Sequence, residues 1–407
     1  MADGFDVAVR VARLALASSA EGVERLERFV RRAAAPYGTE IVLVVLPEQV
    51  VLQEECPGRA RSAVVRAAPG VFRLDQVAAL KRALARIEDG MPAADACALL
   101  DGVEAQRPRW PWWVRALGVA MFAAGFAPSV VASWQEVGAA SLLGLLMGLL
   151  VVGAGGTRAE GLVPFIGAFA VTVLGLTVLS DLSATTGVTL LVIPALFITV
   201  PGDTLSAAAG ELLTGNLTAG AVRLVLALFV LGLIVVGIVA GAGVTGHVDA
   251  LSETLPEPAL PYVVLLAGWV VFAGGLVLAF NAEPLVFVWL VPSVIATYVL
   301  QDGATRLGGS VVGTLVAGAV LGAFANLVDR VDAAPPRLIL VLGGFFVLTV
   351  GGLGVRGVTA MFGGDVVSGI QNLADFGLQV PTVALALALG VLVTDWWRPT
   401  GAARPHQ

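Results

Sequence analysis

From residue 112 onward the chain alternates long apolar stretches with short polar breaks. Ten apolar stretches stand out, near 112–130, 136–154, 160–180, 187–200, 219–244, 261–280, 283–300, 307–327, 337–355 and 378–396. Most approach the roughly 20 residues that a helix needs to cross the hydrocarbon core of a bilayer. The fourth is short and runs into a polar, glycine-containing stretch at 201–218, and the ninth is followed by a similar stretch at 351–375. The first hundred residues follow other periods. Residues 6–17 and 21–34 carry apolar positions at helical spacing, with Val23, Leu26 and Val30 on one face of the second. Ile41–Leu46, Val50–Gln53 and Ser62–Ala67 are β-branched runs punctuated by Pro47-Glu48 and Pro57-Gly58, which predicts three short strands. Val77, Leu80, Leu84 and Ile87 predict a further helix, and residues 92–100 a last short one. The expected order is α-α-β-β-β-α-α.

Composition sharpens the division. Hydrophobic residues make up 57% of the 407 and charged residues 13%, against about 25% charged in soluble domains. Residues 1–109 hold 15 of the 24 basic and 15 of the 30 acidic groups. The expectation is a polytopic α-helical membrane protein: a soluble cytoplasmic α+β accessory domain over 1–108, five-helix membrane sets over 109–245 and 259–398, and a short cytoplasmic tail over 399–407. The net charge of −6 argues against nucleic acid as a partner. The opening residues lack the long apolar core of a secretory signal, so the first domain is expected to stay in the cytoplasm. There its two thiols, Cys56 and Cys97, are expected to be reduced packing residues. The acid-before-base pairs Glu21–Arg25, Glu24–Arg28 and Glu27–Arg31 predict a solvated helix face.

Arginine placement supplies orientation. With the N-terminus cytoplasmic, Arg107, Arg109, Arg115, Arg158, Arg223, Arg330, Arg337, Arg398 and Arg404 fall inside, and only Arg306 and Arg356 outside. This predicts an even number of spans in the cell membrane with both termini cytoplasmic. The acidic loop 246–258 falls outside, and Trp110, Trp112, Trp113, Trp396 and Trp397 stand where interface anchors are expected.

The two polar stretches match one another. Pro201-Gly202 … Gly215-Asn216 … Gly220 … Arg223-Leu224 aligns with Gly351-Gly352 … Gly364-Asp365 … Gly369 … Asn372-Leu373. Each follows the fourth span of a five-span set. Five is odd, so the second set runs upside down relative to the first, the inverted-repeat plan of many secondary transporters. Broken backbone at membrane depth is tolerated only where protein or a water-filled cavity satisfies it, which locates the expected substrate path at 201–223 and 351–375. Ionisable groups there mark function. Asp203 or Thr204 can cap a half-helix facing an anionic group. Glu211 or Asp365 can carry a coupling proton, with Arg223 pairing with either or with a substrate carboxylate. Ser206, Asn216, Ser368 and Asn372 complete the candidate polar set, and Pro201, Gly202, Gly215, Gly220, Gly351, Gly352, Gly364 and Gly369 the structural motif. The chain carries no nucleotide-binding motif and no His–carboxylate set, so neither a cofactor nor a metal is expected. The alternative of an enzyme or sensor in the first domain lacks a base, since neither thiol has a histidine partner there.

With these residues quoted, the chain resembles the threonine/serine exporter family over nearly its whole length. The stretch Pro201-Gly202 … Leu205-Ser206 … Glu211-Leu212 … Gly215-Asn216 … Gly220 … Arg223-Leu224 is similar to that family's own at matching spacing. Gly351-Gly352 replaces the Pro-Gly expected in the second half, and Asp203 an apolar residue. The resemblance implies efflux of small polar amino acids driven by the proton motive force. Relatives on the same plan are associated with dicarboxylates, so a succinate-like or other organic acid stands as the alternative cargo. The oligomeric state is open.

Overall fold

The computed structural model describes residues 2–17, 22–46, 49–54, 61–66, 73–131, 133–179, 188–251, 260–331, 334–348 and 350–396. Outside these residues lie Glu21, the turns at Pro47-Glu48 and Pro57-Gly58, Cys56, most of the expected acidic loop, and the tail with Trp397, Arg398 and Arg404.

The N-terminal unit consists of α1 (Gly4–Ala17), α2 (Val23–Ala34), β1 (Ile41–Leu46), β2 (Gln49–Glu54), β3 (Arg61–Arg66), α3 (Leu74–Glu88) and α4 (Ala93–Glu104). The strands form an antiparallel sheet in the order β1-β2-β3. Alternation within β2 buries Val50 and Leu52 and leaves their neighbours part-exposed, as a sheet covered on one face requires. Against them pack Val7 and Val11 of α1, Val30 of α2, Ile87 of α3 and Leu100 of α4. Cys97 is a buried free thiol in this core. The polar face of α2 departs from expectation. Glu24 pairs with Arg28 at 2.8 Å, and Arg25, over the ring of Phe29 in its own helix, also reaches Asp329, more than 300 positions along the chain; the expected Glu21–Arg25 pair lies outside the described residues.

The apolar remainder is helical: α5 (Trp112–Phe126), α6 (Trp134–Ala154), α7 (Val163–Thr177), α8 (Val188–Leu196), α9 (Gly202–Leu213), α10 (Leu217–Thr245), α11 (Tyr262–Ala279), α12 (Val286–Asp329), α13 (Arg337–Val347), α14 (Val350–Phe362) and α15 (Val366–Trp396). Among the described residues, seven helical stretches are long and apolar enough to cross a membrane. They become eight if α8, extended by a 3-10 turn to Thr199, and α9 form one span bent by 63°. The chain is a polytopic helical membrane protein.

Three boundaries differ from the apolar pattern. The 44 residues of α12 would reach about 66 Å, twice the thickness of the hydrocarbon core. The helix breaks at Gly309, whose φ of 84° only glycine adopts readily. There the chain doubles back, because Gly343 lies against Leu290 and Gly344 against Leu321, positions a straight helix would hold about 46 Å apart. Residues 301–306, expected in an outer loop, are therefore helical. The stretch 351–375 is likewise α14 and the first turns of α15, with non-helical backbone only around 363–365. Residues 201–218 are mostly α9. Intrahelical hydrogen bonds satisfy these polar stretches, so they need less irregular backbone than their glycine content suggests.

Small residues bring the helices together, as is usual where lipid leaves van der Waals packing to drive association. A side chain at Gly125 would strike the backbone of Phe272, and one at Gly275 the backbone of Phe122. The rings of Phe122 and Phe272 meet at 4.5 Å in this α5–α11 crossing. Three residues of the crossing have identical counterparts 150 positions along: Gly118 and Gly268, Phe122 and Phe272, Gly125 and Gly275. Elsewhere Gly241 of α10 abuts the carbonyl of Phe169, and Gly390 of α15 abuts that of Ala319.

Candidate functional site

The site is organised by two helix junctions, the bent α8–α9 break and the meeting of α13 with α14. The first half's break follows from proline. Pro194 lies inside α8, the chain tightens into a 3-10 turn over Phe197–Thr199, and Pro201 sits at the N-cap of α9, where its missing N–H costs nothing. The counterpart of this break is the junction of α13 and α14, which adjoin across residue 349, outside the described residues, and together make one stretch long enough to cross a membrane. The two meet reciprocally. Gly202 packs on the ring of Phe345, Gly352 packs on the ring of Phe197, and the rings of Phe197 and Phe346 stand 5.6 Å apart. Gly351 lies in the first turn of α14.

A second pair of turns follows α9 and α14. Gly215 and Gly364 have φ of 84° and 93°, which is why glycine occupies both. After each turn the chain packs back on itself with one spacing. Gly220 lies against Leu212 and the carbonyl of Ala208; Gly369 lies against Met361 and the carbonyl of Gly357. Glycine is required because neighbouring backbone fills the space of a Cβ.

The candidate polar residues separate into two groups. Asp203, Thr204 and Ser206 lie part-buried in the first turns of α9, with Thr204 Oγ1 3.5 Å from Asp203 Oδ1. Neither side chain caps the helix. Glu211 and Arg223 are both buried, at 4% and 7% exposure, and Arg223 Nε stands 3.0 Å from Glu211 Oε2. Geometrically this is a charge contact without a well-aligned N–H. The other oxygen, Oε1, accepts the backbone N–H of Val23 at 3.1 Å. Glu211 thus sits at the start of α2, which lacks a cap of its own at Gly22, and the helix dipole favours a negative charge there.

The second group starts helices. Asn216 precedes α10, and its Nδ2 donates to Thr214 Oγ1 at 3.3 Å. Asp365 precedes α15 and accepts the N–H of Ser368 at 3.1 Å. Hydrogen bonds from the side chain and then the backbone of Ser368 hold its carboxyl below the usual carboxylate range. Asn372 is part-buried one turn further on. A depressed carboxylate stabilises the fold above its unfolded pKa, and that contribution is lost as the pH falls through the folded value. Asp365→Ala is therefore expected to lower the melting temperature slightly near pH 7, with the difference from wild type shrinking as the pH falls through and below the usual carboxylate range. A gap that stays constant with pH would show that the carboxylate is not the cap.

Beside the meeting of the junctions lies a cavity of about 210 Å³, room for roughly seven waters at ~30 Å³ each. It is lined by Phe126, Ser129, Trp269, Tyr298, Gln301 and Arg356, among others. Among the described residues, Arg356 is the one charged group on its wall. Trp269 and Tyr298 pack ring to ring at 5.4 Å, and the buried indole Nε1 of Trp269 has no hydrogen-bond partner. On the cavity wall Phe126 stacks on Phe197 at 4.5 Å, and behind the wall Phe346 contacts Phe197, Phe122 and Phe272. Sequence reasoning counted Arg356 only as an outer-face charge and overlooked the aromatic residues. An arginine within a glycine-rich apolar run was the available signal; the aromatic residues carried none, since they belong to four separate elements.

The N-terminal unit is seated on the near ends of these helices. The N–H of Leu74 donates to the carbonyl of Phe280 at 3.1 Å. Asn281 Nδ2 donates to Asp75 at 3.0 Å, and Asn281 Oδ1 accepts from Trp110 N–H at 2.9 Å. Arg82 pairs with Glu283 through contacts of 2.7 and 3.1 Å. Lys81 lies 3.4 Å from Asp329 and donates to the carbonyls of Val331 and Ala334.

A family model described as "Putative threonine/serine exporter" matches residues 6–245, 240 of the 407 positions. It spans the N-terminal unit and the helices through α10. No curated protein and no solved structure matches the chain.

Proposed function

Since this chain belongs to the threonine/serine exporter family, we propose that it is a secondary active exporter of small polar amino acids, working by alternating access between two inverted five-helix halves. On this reading the chain crosses the membrane ten times. The bent α8–α9 pair counts once, α12 twice, and α5 is the first crossing. The contacts that recur 149 or 150 positions apart support the repeat. The arginine bias supports a cytoplasmic N-terminal domain and C-terminus, in the cell membrane.

The observation that carries the proposal is the cavity beside the two junctions. Small amino acids carry one carboxylate and one ammonium. Arg356 offers planar, bidentate donors to the carboxylate. The faces of Trp269 and Tyr298 suit the ammonium, while Gln301, Ser129 and the unpartnered indole N–H suit a hydroxyl. The packed rings of Phe197, Phe346, Phe122 and Phe272 support reading this as an outward-facing chamber. Asp203, Thr204 and Ser206, just beyond the break, line the route from the other side. Glu211, paired with Arg223, is the proposed proton-coupling group.

The test is counterflow in liposomes under an imposed pH gradient. Labelled threonine and serine are expected to exchange, with unlabelled succinate competing poorly. Absence of threonine and serine flux would sink the amino-acid reading. Strong competition by succinate would favour the dicarboxylate alternative.

A further inference from the structure

The N-terminal unit does more than rest on the membrane part. Within its first turn, α2 touches both halves: the N–H of Val23 binds Glu211 of α9, and two residues on, Arg25 binds Asp329 at the end of α12. Both attachments are largely shielded from water. Side-chain exposure is 5% for Glu211, and 16% and 19% for Arg25 and Asp329. Helix α3 adds a second row, with Lys81 also on Asp329 and Arg82 on Glu283. Leu74, the first residue of α3, is itself part of the apolar core of the membrane helices.

We propose that the N-terminal domain is the inner gate of the transporter. The first turn of α2 staples the near ends of the two halves together, and inward opening requires it to lift away. This rests on the alternating-access reading above. If the halves rock against one another, Glu211 and Asp329 move apart, and residues 23 and 25 of one rigid helical turn cannot follow both. The contacts suit such a part. They are polar and ionic, reform without a packing search, and keep their charges in register when open. The apolar rings deeper in the protein form a separate barrier, so lifting the domain exposes α9 without emptying the cavity.

The test uses the full-length chain with Cys56 and Cys97 replaced by alanine. Arg25→Cys and Asp329→Cys are joined by a short cleavable bis-maleimide. The linked protein is expected to lose at least tenfold in flux and to regain it on cleavage. Flux equal in linked and cleaved protein would overturn the gate. A second readout needs no substrate. Thr204→Cys, two residues beyond the break, is labelled by a membrane-impermeant maleimide from the side bearing the domain. Arg82→Glu is expected to speed labelling roughly tenfold or more, and the charge swap Arg82→Glu with Glu283→Arg to return it to the parent rate. Unchanged labelling in Arg82→Glu, or a swap that fails to restore it, would overturn the gate too. Absence of amino-acid flux in every form would defeat the transport reading, while the labelling rates would still decide the gate.

Discussion

Arg356→Ala is expected to raise the half-saturating threonine concentration roughly 30-fold or more, with the protein still folded and inserted. The magnitude follows from removing a hydrogen-bonded charge from a desolvated ligand contact, which costs about 2–5 kcal/mol. A loss of ~2 kcal/mol already amounts to about 30-fold. Arg356→Lys keeps the charge but not the planar fork, so it is expected to recover part of the affinity. Counterflow at varied threonine concentration measures both, and melting temperature in detergent separates binding from folding. Equal half-saturation in wild type and Arg356→Ala would remove the cavity as the substrate chamber. Trp269→Phe provides a control on the other side of the chamber, since it keeps the aromatic face and deletes only the unpartnered N–H.

The second large effect concerns Glu211 and Arg223. Both are nearly inaccessible to water, so removal of either strands its partner as a buried charge. Arg223→Leu and Glu211→Ala are each expected to cost about 3–5 kcal/mol of stability, whereas the double variant should cost clearly less than their sum. Glu211→Gln is milder for folding. It keeps an oxygen for the N–H of Val23, and it cannot take up a proton. Efflux by Glu211→Gln is expected to be slow and nearly independent of the pH gradient. Thermal unfolding of the four forms gives the coupling energy, and flux at several gradients gives the proton dependence. Additive single effects would deny the pair. A Glu211→Gln protein with wild-type pH dependence would move proton coupling elsewhere.

The legibility of these features in the sequence varied with how local their cause is. The apolar runs announced a membrane protein because backbone polar groups in lipid must be satisfied within the helix itself. The turns at Gly215 and Gly364 were visible because a positive φ followed by a helix start restricts residue choice at each position. The strands of the N-terminal unit followed from β-branched runs and their punctuation. Helix limits were less visible. The run of α12 through residues 301–306 and the early start of α15 at Val366 put polar residues on helices, where intrahelical bonding leaves only the side chains needing partners. The Arg25 contact with Asp329 was invisible for the same reason: spacing along one helix carries no sign of a partner on another element.

The sequence by itself determined the class of protein and located the two polar segments with their glycines. These depend on hydropathy, charge and local backbone geometry, all of which act over a few residues. Only the tertiary structure decided that the two junctions meet through Phe197, Phe345 and Phe346, that Arg356 shares a cavity wall with Trp269 and Tyr298, and that Glu211 receives both Arg223 and the first turn of α2. Those are contacts between distant segments. They depend on how closely packed helices approach one another, and periodicity along a single chain carries no record of that distance.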